Sequence, residues 1–260
     1  MDLVRLLSGP GLIIYLLIAV RTTTAITVSP LATMPGVPAS VRVLLGLVVA
    51  LAFVSGVPTA VPPDQLQLSI TNLAGEAALG LMVGLASTLV VSAVHIAAGW
   101  IDFQASFTFA SALDPLSEIQ TGPIDRFMGA FATVLFFDLN GHQLFLLALD
   151  DLFRTAPVGG PFQLAQPQQV TGLFSAIFLT ALAMALPVIT LVLIVDVVLA
   201  LLSRTAPQFN LFAVGMPART GIALIVIGLM LPLTTAQISG LLQQLPVAIR
   251  LVTHVASVSQ

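Results

Sequence analysis

The sequence has no cysteine and no lysine, and it has few charged residues of any kind. All eight basic residues are arginine, and only 7% of the 260 residues are charged. Without cysteine the chain can form no disulfide, thiolate metal site or cysteine nucleophile. The net charge of −3 is scattered along the chain. The sequence therefore presents neither a basic patch for nucleic acid nor an acidic tail.

Hydrophobic residues take the place of the missing charges. They make up 58% of the chain, and the mean hydropathy is +1.09. A soluble domain normally contains about 25% charged residues, which form its polar surface. The 8 basic and 11 acidic side chains of this chain cannot supply such a surface. The composition predicts an all-α integral membrane protein; the alternative is a subunit sheathed by partner proteins.

Six apolar segments are separated by polar or proline-rich linkers, and a helix of ~18–20 apolar residues is long enough to cross a bilayer. The fourth segment is interrupted at residues 138–142, and the sequence supports no prediction for the tail after Pro246. We expect a single domain, residues 1–260, of helical hairpins. The predicted helices are Gly11–Val28, Val43–Val57, Leu73–Ile101, Phe127–Leu149, a fifth over Thr171–Val195 that ends near Arg204, and a sixth that begins after Asn210 and includes Thr220–Ile238.

The last two helices are predicted to form a hairpin with a short polar tip. Pro207 disfavours helical geometry at the residue before it, so one helix ends near Arg204 and the next begins after Asn210. Gln208 completes the polar tip. A small excess of arginine on the side of the linkers after the first, third and fifth helices favours both termini outside and this turn in the cytoplasm.

Several ionisable residues fall within or beside the apolar helices, where each charge costs ~2.5–3.5 kcal/mol at the bilayer centre. Asp196 and Arg219 are equally distant from the hairpin tip, so an antiparallel hairpin places them at one depth and predicts an ion pair. The alternative is that a neighbouring subunit or water satisfies each charge. Glu76 is predicted in the first turn of the third helix, where the helix dipole favours a carboxylate.

Asp138 and His142 are spaced i, i+4, which predicts a shared helix face and a hydrogen bond. A structural role and a proton relay are both compatible with that spacing. His95 has no acidic or histidine partner at ligand spacing on its own helix, so we predict no metal site and no cofactor. No serine lies in a nucleophile elbow, and Gly159–Gly160 lacks a phosphate-loop pattern. We therefore predict no enzyme and no catalytic residue.

Aromatic residues are concentrated in the least apolar internal stretch. Phe103, Phe107 and Phe109 precede the Asp114–Pro115 pair. Irregular backbone at membrane depth is tolerated where protein encloses it or where it lines a watery cavity. The stretch is therefore predicted to be a constriction or plug in a pore, and the alternative is an interfacial loop. Upstream, Gly80 and Gly84 provide small-residue spacing that allows close helix packing.

Several motifs together resemble the FliR family of flagellar biosynthetic export-gate proteins, from about Gly75 to Pro232. Asp102 and Ser106 depart from the family pattern, where glycine is expected, and Met216 stands where phenylalanine is usual. The Asn-Gly-His motif favours the flagellar branch over the related virulence-secretion branch. The matching motifs are residues 107–115 (FTFASALDP), 140–142 (NGH), 157–160 (PVGG), 185–187 (ALP), 204–210 (RTAPQFN) and 215–217 (GMP).

The resemblance implies a subunit of a helical, hetero-oligomeric export gate in the bacterial inner membrane at the flagellar basal body. It implies FliP-like and FliQ-like partners, an FlhB-like protein, membrane lipid, and unfolded flagellar proteins as substrates. Residues 1–165 would form a FliP-like part and residues 166–245 a FliQ-like hairpin. Residues 104–121 would form the plug, and the 204–210 turn would face the cytoplasm. The alternatives are a virulence-type secretion gate subunit and a small-molecule transporter, although the two halves show no inverted repeat.

Overall fold

The computed structural model describes residues 9–30, 37–62, 66–108, 122–160, 167–206 and 210–253. These residues form seven α-helices and no strand, and their one extended pairing is an isolated bridge between Thr59 and Val158. The predicted all-α class is confirmed. The helices are α1 (Gly9–Val28), α2 (Ala39–Phe53), α3 (Ile70–Gln104), α4 (Pro123–Asp138), α5 (Gly141–Thr155), α6 (Pro167–Thr205) and α7 (Leu211–Thr253).

The fourth predicted segment is divided into α4 and α5. Asn140 has a φ of 57°, in the left-handed region. Asparagine adopts this conformation more readily than most residues, and one such residue ends the regular helix. Because α4 ends at Asp138 and α5 begins at Gly141, Asp138 and His142 do not occupy one continuous helix. The prediction that they share a helix face is therefore wrong.

Among the described residues, four helices are long and apolar enough to cross a membrane, and there are five such spans if the bent pair α4 and α5 is counted as one. The four are α1, α3, and the stretches Thr171–Thr205 of α6 and Ala213–Gln244 of α7. The remaining apolar helix, α2, has 15 residues and is about 22 Å long at ~1.5 Å per residue. A bilayer core of ~30 Å exceeds that length. The number of predicted apolar segments is thus right, but not every segment can span.

Two helices extend beyond their predicted bounds. The helix α3 begins at Ile70, so Glu76 is its seventh residue and lies outside the first turn. The predicted contact of Glu76 with the dipole at the helix terminus is therefore wrong. The helix α7 continues past Ile238 to Thr253 and contains Pro246. Its 43 residues include the first half of the tail for which the sequence supported no prediction.

The chain divides into two compact units, each assembled from separate stretches of sequence. The first unit contains Met1–Val90, Asn140–Phe174 and Gln243–Gln260; the second contains Val91–Leu139 and Ser175–Leu242. Large apolar side chains fill the core of the first unit, among them Leu17, Ile18, Phe145, Leu149 and Phe153. The core of the second unit includes Val94, Met128, Phe136, Ala185 and Val192.

Glycines bring α1 and α3 close together inside the first unit. A methyl group at Gly80 would collide with the main-chain carbonyl oxygen of Arg21, and one at Gly84 would lie 2.7 Å from the carbonyl oxygen of Ala25. Only glycine leaves room for this backbone contact. The prediction that Gly80 and Gly84 permit close helix packing is confirmed.

The helices differ in how much of their surface this chain covers. Half of the spanning window is buried in α1 and 47% in α3, but only 22% in α6 and 28% in α7. Large apolar side chains such as Phe178, Ile194 and Leu229 are exposed on α6 and α7. A surface of this kind is suited to lipid or to apolar partner surfaces rather than to water.

Candidate functional site

A buried arginine lies at the centre of the first unit. The Nε atom of Arg21 donates a hydrogen bond to Oε2 of Glu76 over 2.5 Å, and Nη1 donates to the carbonyl oxygen of Ala156 over 2.7 Å. The guanidinium carbon also lies 4.6 Å from the centre of the Phe153 ring. Arg21 is fully buried and Glu76 is 3% exposed. The ion pair therefore joins α1, α3 and the end of α5 without contact with solvent.

The loop after α5 donates a hydrogen bond to the second oxygen of the Glu76 carboxylate. Gly159 donates its amide to Oε1 of Glu76 over 2.9 Å and has a φ of 76°, which disfavours any residue with a side chain. Val158 accepts a hydrogen bond from the Ala60 amide over 2.9 Å, which holds the loop beside the segment after α2. We call Arg21, Glu76, Phe153, Ala156 and Gly159 the buried arginine site.

The sequence singled out Arg21 and Glu76 but did not pair them. Arg21 is the only charged residue of α1, and Glu76 is the only charged residue in the first half of α3. Two lone opposite charges in neighbouring apolar helices would have been a usable signal, because a buried charge requires a partner. The contacts of this pair join three parts of the first unit, so its chemistry is that of a structural lock.

In the second unit, the predicted ion pair of the last hairpin is present. The Nε atom of Arg219 on α7 donates to Oδ1 of Asp196 on α6 over 2.5 Å. The equal spacing of the two residues from the hairpin tip therefore placed them correctly. The pair is less enclosed than the buried arginine site, since the side chains of Arg219 and Asp196 are 38% and 25% exposed.

The same part of α7 also holds the end of α3. Thr220 donates its hydroxyl to the carbonyl oxygen of Ala105 over 2.9 Å, and Nη1 of Arg219 lies 3.4 Å from Oγ of Ser106. Ser106 has a φ of 67°, the left-handed conformation in which glycine is most easily accommodated. These contacts fix the turn of residues 105–108, from which the chain leaves α3.

Asp102 binds the start of α4, where the chain resumes its helical course. Its Oδ1 accepts the amide of Ile124 over 3.0 Å, and its Oδ2 accepts the amide of Asp125 over 2.8 Å. Asp102 is 1% exposed. The first amides of a helix have no partner within the helix, so a carboxylate here satisfies them and favours the positive end of the dipole. Sequence reasoning missed this role because helix caps normally come from adjacent residues.

His95 makes a second polar contact between α3 and α4. Its Nδ1 atom lies 2.6 Å from Oδ1 of Asp125, and the His95 side chain is half exposed. A methyl group at Gly129 would lie 2.7 Å from Cε1 of the imidazole ring, so glycine is what admits the ring at this position. We call His95, Asp102, Gly122, Asp125 and Gly129 the α3–α4 junction.

The predicted plug residues are only partly described. Phe103 lies in the last turn of α3 and is 73% exposed, so it is helical rather than part of an irregular loop. Phe107 is half-buried in the following turn and donates its amide to the carbonyl oxygen of Asp102 over 3.0 Å. Phe109, Asp114 and Pro115 lie outside the described residues. Their proposed role stays a prediction.

The hairpin tip has the bounds that the sequence predicted. The helix α6 ends at Thr205 with Arg204 exposed in its last turn, and α7 begins at Leu211. Asn210 caps α7, because its Oδ1 accepts the amide of Ala213 over 3.3 Å. Pro207 and Gln208 lie outside the described residues.

The other two predicted polar residues lie on either side of the break between α4 and α5. Asp138 is exposed at the end of α4, and His142 is half-buried in the first turn of α5. Within residues 9–30, 37–62, 66–108, 122–160, 167–206 and 210–253, no three histidine or acidic side chains are grouped as metal ligands would be. The polar clusters that we describe are thus pairs and caps that join helices.

Comparison with known proteins gives consistent matches over most of the chain. The model of the family described as "Bacterial export proteins, family 1" matches residues 12–245. The chain is 29% identical to the flagellar biosynthetic protein FliR of Escherichia coli over 214 residues, 82% of each protein. It is 28% identical to FliR of Bacillus subtilis, over 82% of this chain and 84% of that protein. It is 31% identical to the Yop proteins translocation protein T of Yersinia pestis, over 67% of this chain and 69% of that protein.

Proposed function

The chain belongs to family 1 of the bacterial export proteins, and we propose that it is a multi-pass membrane subunit of a flagellar type III protein export gate. The observation that carries this proposal is the match of the family model across residues 12–245. The four or five apolar spans are what such a subunit requires. The matches to proteins named as flagellar biosynthetic proteins cover 82% of the chain.

In this proposal the chain assembles with FliP-like and FliQ-like subunits and with an FlhB-like protein in the bacterial inner membrane, at the flagellar basal body. Residues 1–165 form the FliP-like part and residues 166–245 the FliQ-like hairpin. The exposed apolar surfaces of α6 and α7 support an assembly of this kind, because partner helices or lipid must cover them. Ion pairs such as Asp196–Arg219 keep intramembrane charges satisfied until assembly is complete.

We further propose that the gate conducts unfolded flagellar proteins and that residues 104–121 close it at rest. The described residues at the two ends of this stretch support the proposal. Thr220 and Arg219 hold the turn of residues 105–108, and Asp102 holds the start of α4. Both flanks are thus anchored to helices, and the aromatic side chain of Phe107 lies at the beginning of the stretch.

Deletion of residues 107–114 tests the closing role. Cells that express the complete export complex with this deletion are expected to leak small ions, measured as faster loss of membrane potential than in wild-type cells. The physical reason is that an apolar obstruction is removed from a water-accessible path. Unchanged ion conductance would remove the plug from the proposal.

The matched control keeps the length and apolar character of the stretch. In this control, Phe107 and Phe109 are replaced by leucine, and we expect the ion leak to stay at the wild-type level. A tag on each variant reports whether FliP-like and FliQ-like proteins still co-purify with it. A chain that purifies alone in a stable and active form would contradict the gate-subunit assignment itself.

A virulence-type secretion gate is the second candidate function. The match to the Yersinia pestis translocation protein supports it, with 31% identity over 67% of this chain. The FliR proteins of Escherichia coli and Bacillus subtilis match a larger share of the chain, 82%, and we therefore favour the flagellar role. Complementation separates the two candidates: the chain should restore motility to a flagellar export mutant and not effector secretion to a virulence mutant.

A further inference from the structure

Two polar side chains of α3 lie over two glycines, one at the N-cap of α4 and one within α4, in matching register. Asp102 lies over Gly122, and His95 lies over Gly129. Both steps, from His95 to Asp102 and from Gly122 to Gly129, are seven residues, or about two helical turns. The order is reversed between the helices, so the two contacts define one antiparallel register.

Asp125 connects the two contacts. Its amide donates to Oδ2 of Asp102, and its carboxylate lies against Nδ1 of His95. Because one residue of α4 is held by two residues of α3, a shift of α4 along α3 breaks both interactions. The glycines are part of the same arrangement, since a methyl group at Gly122 would collide with the Asp102 carboxylate.

We propose that Asp102 is a positioning residue that, with His95, clamps the start of α4 to the end of α3. The clamp fixes the start of α4 against the end of α3 within the second unit. It replaces a local N-cap, because Gly122 occupies the N-cap position and has no side chain. The inference deepens the proposed function, since the clamped residues flank the stretch that we propose as a plug.

The backbone of Gly122 allows the clamp to be separated from ordinary helix capping. Gly122 has φ −67° and ψ 160°, the extended conformation of an N-cap residue. Serine fits this backbone and is a favoured N-cap. In an Asp102→Ala background the carboxylate no longer occupies the space, so Gly122→Ser supplies a local cap without restoring the connection to α3.

Spin labels measure the clamp directly. The chain has no cysteine, so cysteines substituted at the exposed residues Phe103 and Arg126 accept one label each. In the full chain, purified with its partner subunits, we expect one narrow distribution of label-to-label distances. Asp102→Ala should broaden it and should accelerate amide exchange at Ile124 and Asp125 roughly fivefold, the effect of losing one cap.

The double variant Asp102→Ala/Gly122→Ser decides between a clamp and a cap. For a clamp, amide exchange at Ile124 and Asp125 returns toward the wild-type rate while the distance distribution stays broad. A return of both to wild-type values would overturn the proposal, because a local cap would then suffice. A narrow distribution in Asp102→Ala alone would overturn it as well.

The proposal of the clamp and the proposal of the plug can be refuted independently of each other. A broadened distance distribution in Asp102→Ala, with no change in ion leak after deletion of residues 107–114, supports the clamp and removes the plug. A leak caused by the deletion, with an unchanged distance distribution in Asp102→Ala, supports the plug and removes the clamp.

Discussion

Two ion pairs between apolar helices have the same length but very different surroundings. Arg21–Glu76 and Arg219–Asp196 each have a nitrogen–oxygen distance of 2.5 Å. The first pair is 0% and 3% exposed, and a carbonyl, an amide and an aromatic ring of the same chain surround it. The second is 38% and 25% exposed. The chain encloses the first pair and leaves the second partly exposed.

The helices around each pair show the same contrast. The spanning windows of α1 and α3 are about half buried within the chain, and those of α6 and α7 are buried to only 22% and 28%. A charge in the first environment is stabilised by its partner inside the fold. The stability of a charge in the second environment depends also on what covers the hairpin, whether lipid or a neighbouring subunit.

The largest expected effect is the loss of the buried charge partner. Glu76→Gln leaves Arg21 buried without a counter-charge, and we expect a destabilisation of about 3–5 kcal/mol. Thermal unfolding of the purified protein in detergent measures the effect. Asp150→Asn is the control, because it breaks the surface pair with Arg154. Surface pairs contribute only about 0–1 kcal/mol. Similar losses in the two variants would contradict the contrast.

A smaller effect is expected from the backbone contact beneath the buried pair. Gly80→Ala places a methyl group against the carbonyl oxygen of Arg21 and should destabilise the protein by roughly 1–3 kcal/mol. Gly99→Ala in the same helix is the matched control. A methyl group there meets nothing within 4 Å, so it should stabilise α3 by up to about 1 kcal/mol. If the two substitutions changed stability in the same direction, the close packing of α1 and α3 would be refuted.

The smallest expected effect concerns the open pair. Asp196→Arg or Arg219→Asp alone should cost about 1 kcal/mol in the detergent-solubilised chain, because both groups are partly exposed rather than enclosed by the fold. The exchange of both residues should recover most of that loss in the same thermal assay. An exchanged variant no more stable than the single variants would show that the two side chains do not interact.

The difference between the two pairs also explains which of them could be predicted. Asp196 and Arg219 lie on consecutive helices joined by a short turn, so counting outward from the tip was sufficient. Arg21 and Glu76 are 55 residues apart, and the carbonyl that binds Arg21 is 135 residues away. Counting residues from a turn cannot identify partners that are so far apart in the sequence.

The α3–α4 junction was missed for a similar reason. The sequence drew attention to Asp102 because it stands where the resemblance led us to expect glycine. Capping patterns, however, are recognised among neighbouring residues, and the amides that Asp102 binds lie 22 and 23 residues further along the chain. The prediction from the i, i+4 spacing of Asp138 and His142 failed for a different reason. It assumed that the helix continues through Asn140, where the structure has a break.

Local properties of the sequence determined the class of this protein. Long apolar runs, proline breaks and the Asn210 cap define the helical segments because each acts within a few residues. The tertiary structure alone decided which charges are sealed inside the chain and which remain open. It decided also that Asp102 serves the next helix rather than its own. Burial and long-range pairing depend on how separate segments pack together, and no single segment contains that information.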